Sequence, residues 1–459
     1  MKDQPFYHLD KEKTMKKVKD KLNPSKILVL GFAILILIGT FLLTLPISTE
    51  DGKGLSFLNA LFTATSATCV TGLIVVDTAD TFSTFGELVI LILIQVGGLG
   101  FMTFGTFLFM LLGKKITLKE RLLLKESINV TTLEETGILV KRILLFTAIA
   151  EIFGGIILSI RFSFDMSVGK AIYYGFFHAI SNFNNAGFDL MGNFRSLTPY
   201  ENDPIVVLTI CFLITIGGLG FIVINELYEY HQTHRLTMHT KVVMTTTIIL
   251  TVGATLLIML FEYGNEKTLG PLSLQGKGLG AIFQAITPRT AGANTLPLNE
   301  LTHATLFLTI FLMYIGAGSG STAGGIKITT FAVLVATVWS QMKGKEDVEL
   351  FKRRIVVETI LKALSVAMSG LAIVVFVTFI LSITEKKHDF IVYLFEATSA
   401  FGTVGLSMGL TPELSTIGRI IIIVTMFAGR LGPLTIGFAI SKKRKQQAYQ
   451  HPKGNIMIG

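Results

Sequence analysis

Four short polar stretches, each with a glycine near its end, stand out in an otherwise apolar chain. They are Phe62–Leu73, Phe177–Phe188, Phe283–Ala293 and Phe395–Leu406. Each begins with Phe, has Ala two residues later, and reaches its Gly after ten residues, or after nine in the third copy. Backbone carbonyls beside a conformationally free glycine can replace the water shell of a cation. The pattern therefore predicts an ion selectivity filter made of four loops around one axis.

The spacing of these stretches indicates a fourfold internal repeat. Their glycines lie 115, 105 and 113 residues apart along the chain: Gly72, Gly187, Gly292 and Gly405. A second motif supports the same repeat, because the string GGLGF at Gly97–Phe101 returns at Gly217–Phe221.

The side chains around the glycines are polar but mostly uncharged. They are suited to stiffening the loops by hydrogen bonds: Thr68, Thr71, Asn184, Asn185, Thr290 and Thr403. A ring of carboxylates, as used to select divalent cations, is missing around the glycines, and Arg289 in the third copy is the one charge there. The loops therefore favour a monovalent cation selected by backbone oxygens.

The composition places these loops in a membrane protein. Of 459 residues, 51% are hydrophobic and 15% charged, against roughly 25% charged in a soluble protein. The net charge of +9 fits basic loops that orient a membrane protein better than nucleic-acid binding. Cys69 and Cys211 indicate neither a disulfide framework nor a metal site. His178 has no ligand partners nearby in sequence, and a structural role is favoured for it.

The elements that must position the loops follow one plan four times: a span, a short helix too short to cross, the loop, and a second span. This predicts an all-α membrane protein with eight transmembrane helices and four re-entrant helices around one pore. The predicted spans are Ile27–Leu45, Leu88–Leu112, Ile138–Ile160, Ile205–Ile224, Val242–Phe261, one from Ala304, Val356–Ile383 and Ile420–Ile440. The predicted short helices are one ending at Cys69, then Lys170–Phe183, Gly278–Thr287 and Phe390–Ala400.

Basic residues set the predicted orientation. On the side that holds both tails and the loops at 113–142, 230–241 and 340–362 there are 28 Lys and Arg, against 10 on the other side. By the positive-inside rule both termini are cytoplasmic, the filter loops face outward, and the protein lies in the cell membrane. The predicted segments are a tail at 1–26, repeats at 27–112, 113–229, 230–340 and 341–440, and a tail at 441–459.

The last span of the third repeat is interrupted by the glycine-rich segment Gly316–Gly325. One interpretation is a packing kink, and the other is a loop that gates the pore, which the density of glycines favours. Arg430 lies inside the last span, where it either faces the cavity and loop carbonyls or pairs with an acid such as Glu151. Lys327, just past the interruption, allows the same two interpretations.

With these features the chain resembles the Trk/Ktr/HKT superfamily of potassium transporters, and especially the membrane subunit of bacterial Ktr systems. The resemblance rests on the four units, the loop glycines, FEATSAFGTVGLS, PRTAG and the glycine-rich break, and it covers residues 27–440. It implies potassium as the transported ion, with K⁺ held at the four loop glycines. Some plant relatives have Ser at the first filter position and carry sodium, so Gly72 favours the potassium type.

The resemblance also implies roles and partners. The filter residues are Val70, Thr71, Gly72, Asn185, Ala186, Gly187, Thr290, Ala291, Gly292, Thr403, Val404 and Gly405. The gate residues are Gly316, Ala317, Gly318, Ser319, Gly320, Ser321, Thr322, Ala323, Gly324, Gly325 and Arg430. The implied assembly is a homodimer above a cytoplasmic ring of nucleotide-binding regulatory subunits, with sodium-stimulated uptake. No phosphate-binding GxGxxG lies in a strand–helix setting, so nucleotide regulation is expected from the partner.

Three other functions were compared with a potassium channel. A sodium-coupled symporter would need alternating access, whereas the four repeats share one orientation. A less selective sodium and potassium transporter fits the single shared glycine per loop. A membrane-embedded enzyme would need clustered His, Asp or Cys in the spans, and the sequence offers none.

Overall fold

The computed structural model of the chain describes residues 24–100, 103 and 136–440. The predictions for most of the N-terminal tail, for the C-terminal tail, for most of the loop at 113–142 and for the end of the span Leu88–Leu112 lie outside the described residues.

Four helices within the described residues are long and apolar enough to cross a membrane by length and composition. Each opens one repeat, and each begins and ends within four residues of the predicted span. They are α1 (Pro24–Leu43), α5 (Thr136–Phe162), α9 (Met238–Glu262) and α13 (Val357–Thr384). Their outward faces carry exposed Leu, Ile, Val and Phe side chains, as expected of helices that contact lipid.

A short helix follows each long one and leads directly into a glycine loop. These helices have 12 to 16 residues, and their C-terminal ends are almost fully buried. They are α2 (Phe57–Thr68), α6 (Val168–Phe183), α10 (Leu274–Ile286) and α14 (Phe390–Gly402).

The second helix stops at a break in every repeat, which the sequence predicted for the third repeat and not for the others. The sequence predicted uninterrupted spans through Ile224 and Ile440, but Gly220 and Gly432 have φ of 100° and 81°, which an α-helix cannot accommodate. The helices before the breaks are α4 (Thr84–Leu99), α7 (Pro204–Leu219), α11 (His303–Tyr314) and α16 (Thr416–Leu431). The helices after them are α8 (Phe221–Thr233), α12 (Ile328–Met342) and α17 (Pro433–Ile440). The chain turns by 96° between α7 and α8.

The predicted starts of these second helices were also late. Ser83, Asp203 and Ser415 accept hydrogen bonds from the first backbone N–H groups of α4, α7 and α16, so each helix begins at its cap rather than at its first apolar run. Two further short helices, α3 (Thr78–Thr81) and α15 (Leu410–Glu413), precede α4 and α16.

A β-hairpin was not predicted either. Within the charged segment between α12 and α13, the chain forms a two-stranded antiparallel hairpin of β1 (Glu349–Leu350) and β2 (Arg353–Arg354). Phe351 and Lys352 form its turn, with φ of 49° and 61°. Such left-handed turn residues are usually Gly, Asn or Asp, so the sequence contains no signal for a hairpin turn here.

The repeats close into a ring. The second helix of each repeat packs against the short helix of the next: α4 against α6, α7 against α10, and α11 against α14. The last repeat completes the circle, since α16 packs against α2 of the first. Every short helix therefore lies between two repeats, with its loop directed toward a shared centre.

Candidate ion pathway

The four loop glycines meet at the centre of this ring, each against the next repeat. A Cβ atom added to Gly72 would lie 2.4 Å from the carbonyl oxygen of Ala186, and one added to Gly187 would lie 2.6 Å from that of Ala291. A Cβ atom added to Gly292 would collide with the carbonyl oxygen of Val404, and one added to Gly405 would collide with that of Thr71. The contacts thus run once around the ring in chain order. Any side chain larger than hydrogen would collide with a neighbouring backbone.

The loops share one backbone conformation. Each glycine has φ between 69° and 95°, and the residue two positions earlier is also left-handed, although it is never glycine. Those residues are Val70, Asn185, Thr290 and Thr403. A non-glycine residue in this region is strained and persists only where its surroundings hold it. The loops are therefore pre-formed by the structure around them.

A Ser or Thr at the end of each short helix supplies that support. The Oγ atoms of Ser66 and Ser399 accept hydrogen bonds from the N–H groups of Gly72 and Gly405, both at 3.1 Å. Ser181 Oγ donates to the carbonyl of Phe188 at 2.6 Å, and Thr287 donates to the carbonyl of Ala293. Each loop is thus fastened to its own helix by a hydroxyl near its root.

The shortened third loop keeps the same shape by a change in hydrogen bonding. In the other loops the residue before the glycine donates its N–H to the carbonyl five residues back, as Thr71 does to Ser66 at 2.8 Å. In the third loop Ala291 donates to Thr287, four residues back, at 2.9 Å. The turn of the third loop is therefore one residue shorter than in the other loops. Thr290 and Gly292 still have left-handed φ values of 77°.

The glycine-rich break of the third repeat lies directly against the glycine loops of the second and fourth repeats. The carboxamide of Asn185 is 3.1 Å from the Thr322 hydroxyl, and a Cβ on Gly324 would lie 2.1 Å from Thr403 Oγ1. The break also forms backbone hydrogen bonds with the second repeat. Gly318 N donates to Gly218 O at 2.8 Å. Phe221 N, at the start of α8, donates to Gly320 O at 2.9 Å.

Two cations hold the break through carbonyl oxygens. Arg430 donates from Nη1 to Thr322 O and from Nη2 to the carbonyls of Gly97 and Gly98, so it bridges the break and the end of α4. Lys327 Nζ donates to the carbonyls of Ala323 at 2.7 Å and Gly324 at 3.2 Å. Of the two interpretations of Arg430, the structure has the one in which it contacts loop carbonyls.

Glu151 instead belongs to a separate buried cluster beside the second loop. Asn184 Nδ2 donates to Gln95 Oε1 at 2.7 Å and to Glu151 Oε1 at 3.1 Å. Gln95 Nε2 donates to the other carboxylate oxygen at 3.3 Å. The cluster joins α4, α5 and the root of the second loop, and so fixes Asn184 next to Asn185.

Comparison with known proteins places this architecture in a family. Residues 2–451 match the TrkH family, described as a cation transport protein. The chain belongs to the TrkH family. This confirms the resemblance drawn from the loop glycines and the break.

Individual TrkH-family relatives span nearly the whole chain. The Ktr system potassium uptake protein B of Bacillus subtilis is 46% identical, covering 98% of this chain and all of the relative. The potassium/sodium uptake protein NtpJ of Enterococcus hirae is 40% identical, covering 97% of this chain and 99% of the relative. The crystal structure of the potassium transporter TrkH from Vibrio parahaemolyticus superposes with a TM-score of 0.65 at 17% identity, covering 90% of this chain and 84% of that one, and so shares the fold.

The structure also shows positions in this TrkH-family chain that sequence reasoning passed over. Gly97, Gly217 and Gly429 each pack on a carbonyl at the end of a short helix, since an added Cβ would lie 2.0, 1.9 and 1.9 Å from the oxygens of Thr68, Phe183 and Phe401. The signal was present as Gly429-Arg-Leu-Gly432, a third copy of the GGLG string in which Arg430 replaces the second glycine. The arginine at the break thus occupies a repeat position that is glycine elsewhere.

The residue after the first Phe has a structural role in two of the stretches, as the sequence favoured for His178; no role was predicted for Glu396. His178 is fully buried; its Nε2 accepts from Leu190 N at 3.4 Å, and its Nδ1 lies 2.7 Å from the carbonyl of Tyr174. At the same position of the fourth repeat, Glu396 accepts from the hydroxyls of Ser407 at 2.7 Å and Thr411. Both side chains anchor the chain that leaves the loop.

Carboxylates follow the first two loops and link their outgoing segments. Asp77 accepts from Phe194 N at 2.6 Å, and Asp80 from Asn193 N at 3.0 Å. Burial, reinforced by the nearby Asp77, raises the pKa of Asp189 to about 6. The Asp189 carboxylate is therefore protonated more readily than that of an ordinary Asp.

Proposed function

We propose that this chain is the potassium-conducting membrane subunit of a Ktr-type uptake system. The observation that carries the proposal is the ring of four glycines, each with a neighbouring carbonyl oxygen where a side chain would stand. The names of the relatives in Bacillus subtilis and Enterococcus hirae, both potassium uptake proteins, support the choice of ion. Sodium remains the second candidate ion, because the Enterococcus relative is also named for it.

In this proposal the eight crossings and four pore helices surround one pathway. The four short helices direct their negative C-terminal ends to the loops, which favours a cation there. The carbonyls of Val70 to Gly72 and of their counterparts in the other repeats line the filter. The pathway carries ions down their electrochemical gradient, and both chain ends lie in the cytoplasm.

The break at 316–325 is the proposed gate. Its contacts with Asn185 and Thr403 place it against the loops, and Arg430 and Lys327 fasten it there by carbonyl hydrogen bonds. Irregular backbone at membrane depth is stable only where it is buried in protein or lines a watery cavity. Release of the break from these bonds opens the path in this proposal.

The proposed assembly is a homodimer with a cytoplasmic nucleotide-binding ring. Support comes from the word "system" in the names of the Bacillus relatives, which implies a partner subunit. Regulation then acts on the break from the side of α8 and the other cytoplasmic segments.

Uptake of ⁸⁶Rb⁺ into proteoliposomes tests the proposal. The wild type should take up ⁸⁶Rb⁺ and lose the signal to competing K⁺ at far lower concentration than to Na⁺. Gly72→Ser should lose that preference, because the added side chain meets Ala186 O. Gly409→Ser is the matched control: its φ of 91° is close to the 89° of Gly72, but nothing lies within 4 Å of an added Cβ. Equal selectivity in the wild type and the Gly72 variant would contradict the filter assignment.

A further inference from the structure

The hairpin β1–β2 lies between the ends of two apolar helices. α12 ends at Met342, and α13, which is long and apolar enough to span a membrane, begins at Val357. Only fourteen residues join them, so the hairpin is confined to one edge of the membrane region. Its polar surface is therefore in reach of lipid headgroups at that edge.

The buried side of the hairpin fixes it to the helix ends. Val348 and Ile355 flank the two strands, are 5% and 7% exposed, and pack with Val333 of α12 and Ala363 of α13. Ile355 N donates to Val348 O at 2.8 Å, which closes the base of the hairpin. Because Val333 lies nine residues before the end of α12, the hairpin folds back along that helix rather than extending away from it.

Exposed aromatic and apolar groups lie at the end of α12 and at the turn of the hairpin. Trp339, Met342 and Phe351 are 59%, 76% and 47% exposed. Tryptophan and other amphipathic side chains concentrate at the membrane–water interface, where the ring is half in the hydrocarbon. These three residues mark the level at which the hairpin meets the lipid.

Basic groups stand beside them. Lys343 Nζ lies 4.6 Å above the Trp339 ring, and Lys352 and Arg353 occupy the exposed turn and second strand. Arg354 is paired with Asp347 at 2.8 Å and Lys345 with Glu349 at 3.9 Å. Within the described residues, neither Lys352 nor Arg353 forms an ion pair with a carboxylate. The part of the chain that the structure describes thus leaves two cations at the turn without a carboxylate partner.

We propose that this surface, made of Trp339, Lys343, Phe351, Lys352 and Arg353, binds the anionic headgroups of phospholipids in the adjoining leaflet. Unpaired cations beside a membrane helix attract anionic lipids, and an aromatic anchor at the same depth fixes the distance to the phosphate. A soluble acidic partner would satisfy the charges but would leave Trp339 and Met342 unmatched at the hydrocarbon edge. The lipid matches both properties.

The chain offers a built-in probe, because Trp339 is its one tryptophan. The full-length protein is reconstituted in vesicles of equal amounts of phosphatidylcholine and phosphatidylglycerol, with bromine on the acyl chains of one lipid or the other. The bulk composition is the same in both samples, so a difference in quenching reports which lipid is enriched around Trp339. Quenching should be about twofold stronger when phosphatidylglycerol carries the bromine.

The variant Lys352→Gln/Arg353→Gln should lose this difference while keeping Lys343 above the indole ring. Lys386→Gln/Lys387→Gln removes the same charge from the exposed segment between α13 and α14, and should keep it. The single variant Lys352→Gln should give an intermediate value, which keeps the test valid if the double variant folds poorly. Equal quenching by both lipids in the wild type would overturn the proposal.

A second result would also overturn it. If the double variant kept its preference for phosphatidylglycerol but no longer copurified with a cytoplasmic partner, the surface would belong to that protein. The readout needs no ion flux, so it stands whether or not the chain conducts potassium.

Discussion

The filter loops and the break at 316–325 are both glycine-rich, but they are held in different ways. Each filter loop is fastened within its own repeat, as Gly72 N is to Ser66 and Gly405 N is to Ser399. The break receives part of its bonds from elsewhere: Gly218 of the second repeat and Arg430 of the fourth add to those from Lys327 of its own repeat. A segment held by its own helix keeps its shape when its neighbours move. A segment that two other repeats help to hold can be released by either of them.

The largest expected effect on stability lies at the C-terminal end of α7, which contacts both the second loop and the break. Gly217 packs on Phe183 O at the root of the second loop, and its own carbonyl accepts from Thr322. Gly217→Ala should lower the free energy of unfolding by about 2 kcal/mol, because a methyl group must displace backbone. The control is Gly253→Ala on α9, where nothing lies within 4 Å and alanine should be neutral or stabilising. Thermal unfolding in detergent compares the two, and equal midpoints would mean that the helix end is not close-packed.

Removing the cation that holds the break should alter flux more than stability. Arg430→Gln loses charge-assisted bonds to three carbonyls, each worth about 1.5 to 3 kcal/mol. We expect ⁸⁶Rb⁺ uptake without any partner to rise by about tenfold, since even one such bond corresponds to that ratio of released to held break. Arg419→Gln is the control on the same helix, since Arg419 contacts Asn59 and Pro412 far from the break.

Lower uptake in Arg430→Gln with unchanged thermal stability would give the arginine a role in conduction instead of closure. The comparison between the two regions would then fail at its central point.

Breaking a filter loop at its own root should have the complementary result. Ser66→Ala leaves the N–H of Gly72 buried without a partner, at a cost of about 1 to 3 kcal/mol. We expect the preference for K⁺ over Na⁺ in competition with ⁸⁶Rb⁺ to fall severalfold, while uptake in the absence of the partner stays low. Ser365→Ala, which removes an exposed hydroxyl bonded within α13, is the control. Unchanged selectivity would show that the strained Val70 and Gly72 are held by packing alone.

This contrast also explains what the sequence could reveal. The shape of the four glycine loops was predictable because its determinants are local and repeat: Phe, Ala, a hydroxyl and Gly at fixed offsets put Ser66 and Gly72 in the same relation as Ser399 and Gly405. Long apolar runs likewise marked α1, α5, α9 and α13 to within a few residues. Local determinants are copied with each repeat, so four weak signals combine into one strong prediction.

What depends on distant contacts was not predictable. Ile205–Ile224 is apolar throughout, and nothing in it states that Gly220 adopts a φ of 100° because Ser319 O lies 2.6 Å from where its side chain would be. The choice of Arg430 between Glu151 and carbonyls was equally open, since it is decided by which helices face each other across the ring. The hairpin at 349–354 depends on a turn with two left-handed residues, Phe351 and Lys352, neither of which is glycine.

The smallest expected effect lies at the far end of α8. That helix begins with Phe221 N bonded to Gly320 O, and it is held to α5 by Arg142, which donates to Asn225 at 2.9 Å and to Glu229. Arg142→Gln should raise partner-free ⁸⁶Rb⁺ uptake by about fivefold or less, because a pair one-third exposed to solvent is worth ~1 kcal/mol or less. Lys141→Gln removes the adjacent, exposed charge and should change nothing.

If Arg142 acts through the break, the effect of Arg142→Gln on uptake should vanish when it is combined with Arg430→Gln, because a break already released cannot be released again. Additive effects of the two substitutions would separate α8 from the break and leave Arg430 and Lys327 as its controlling contacts.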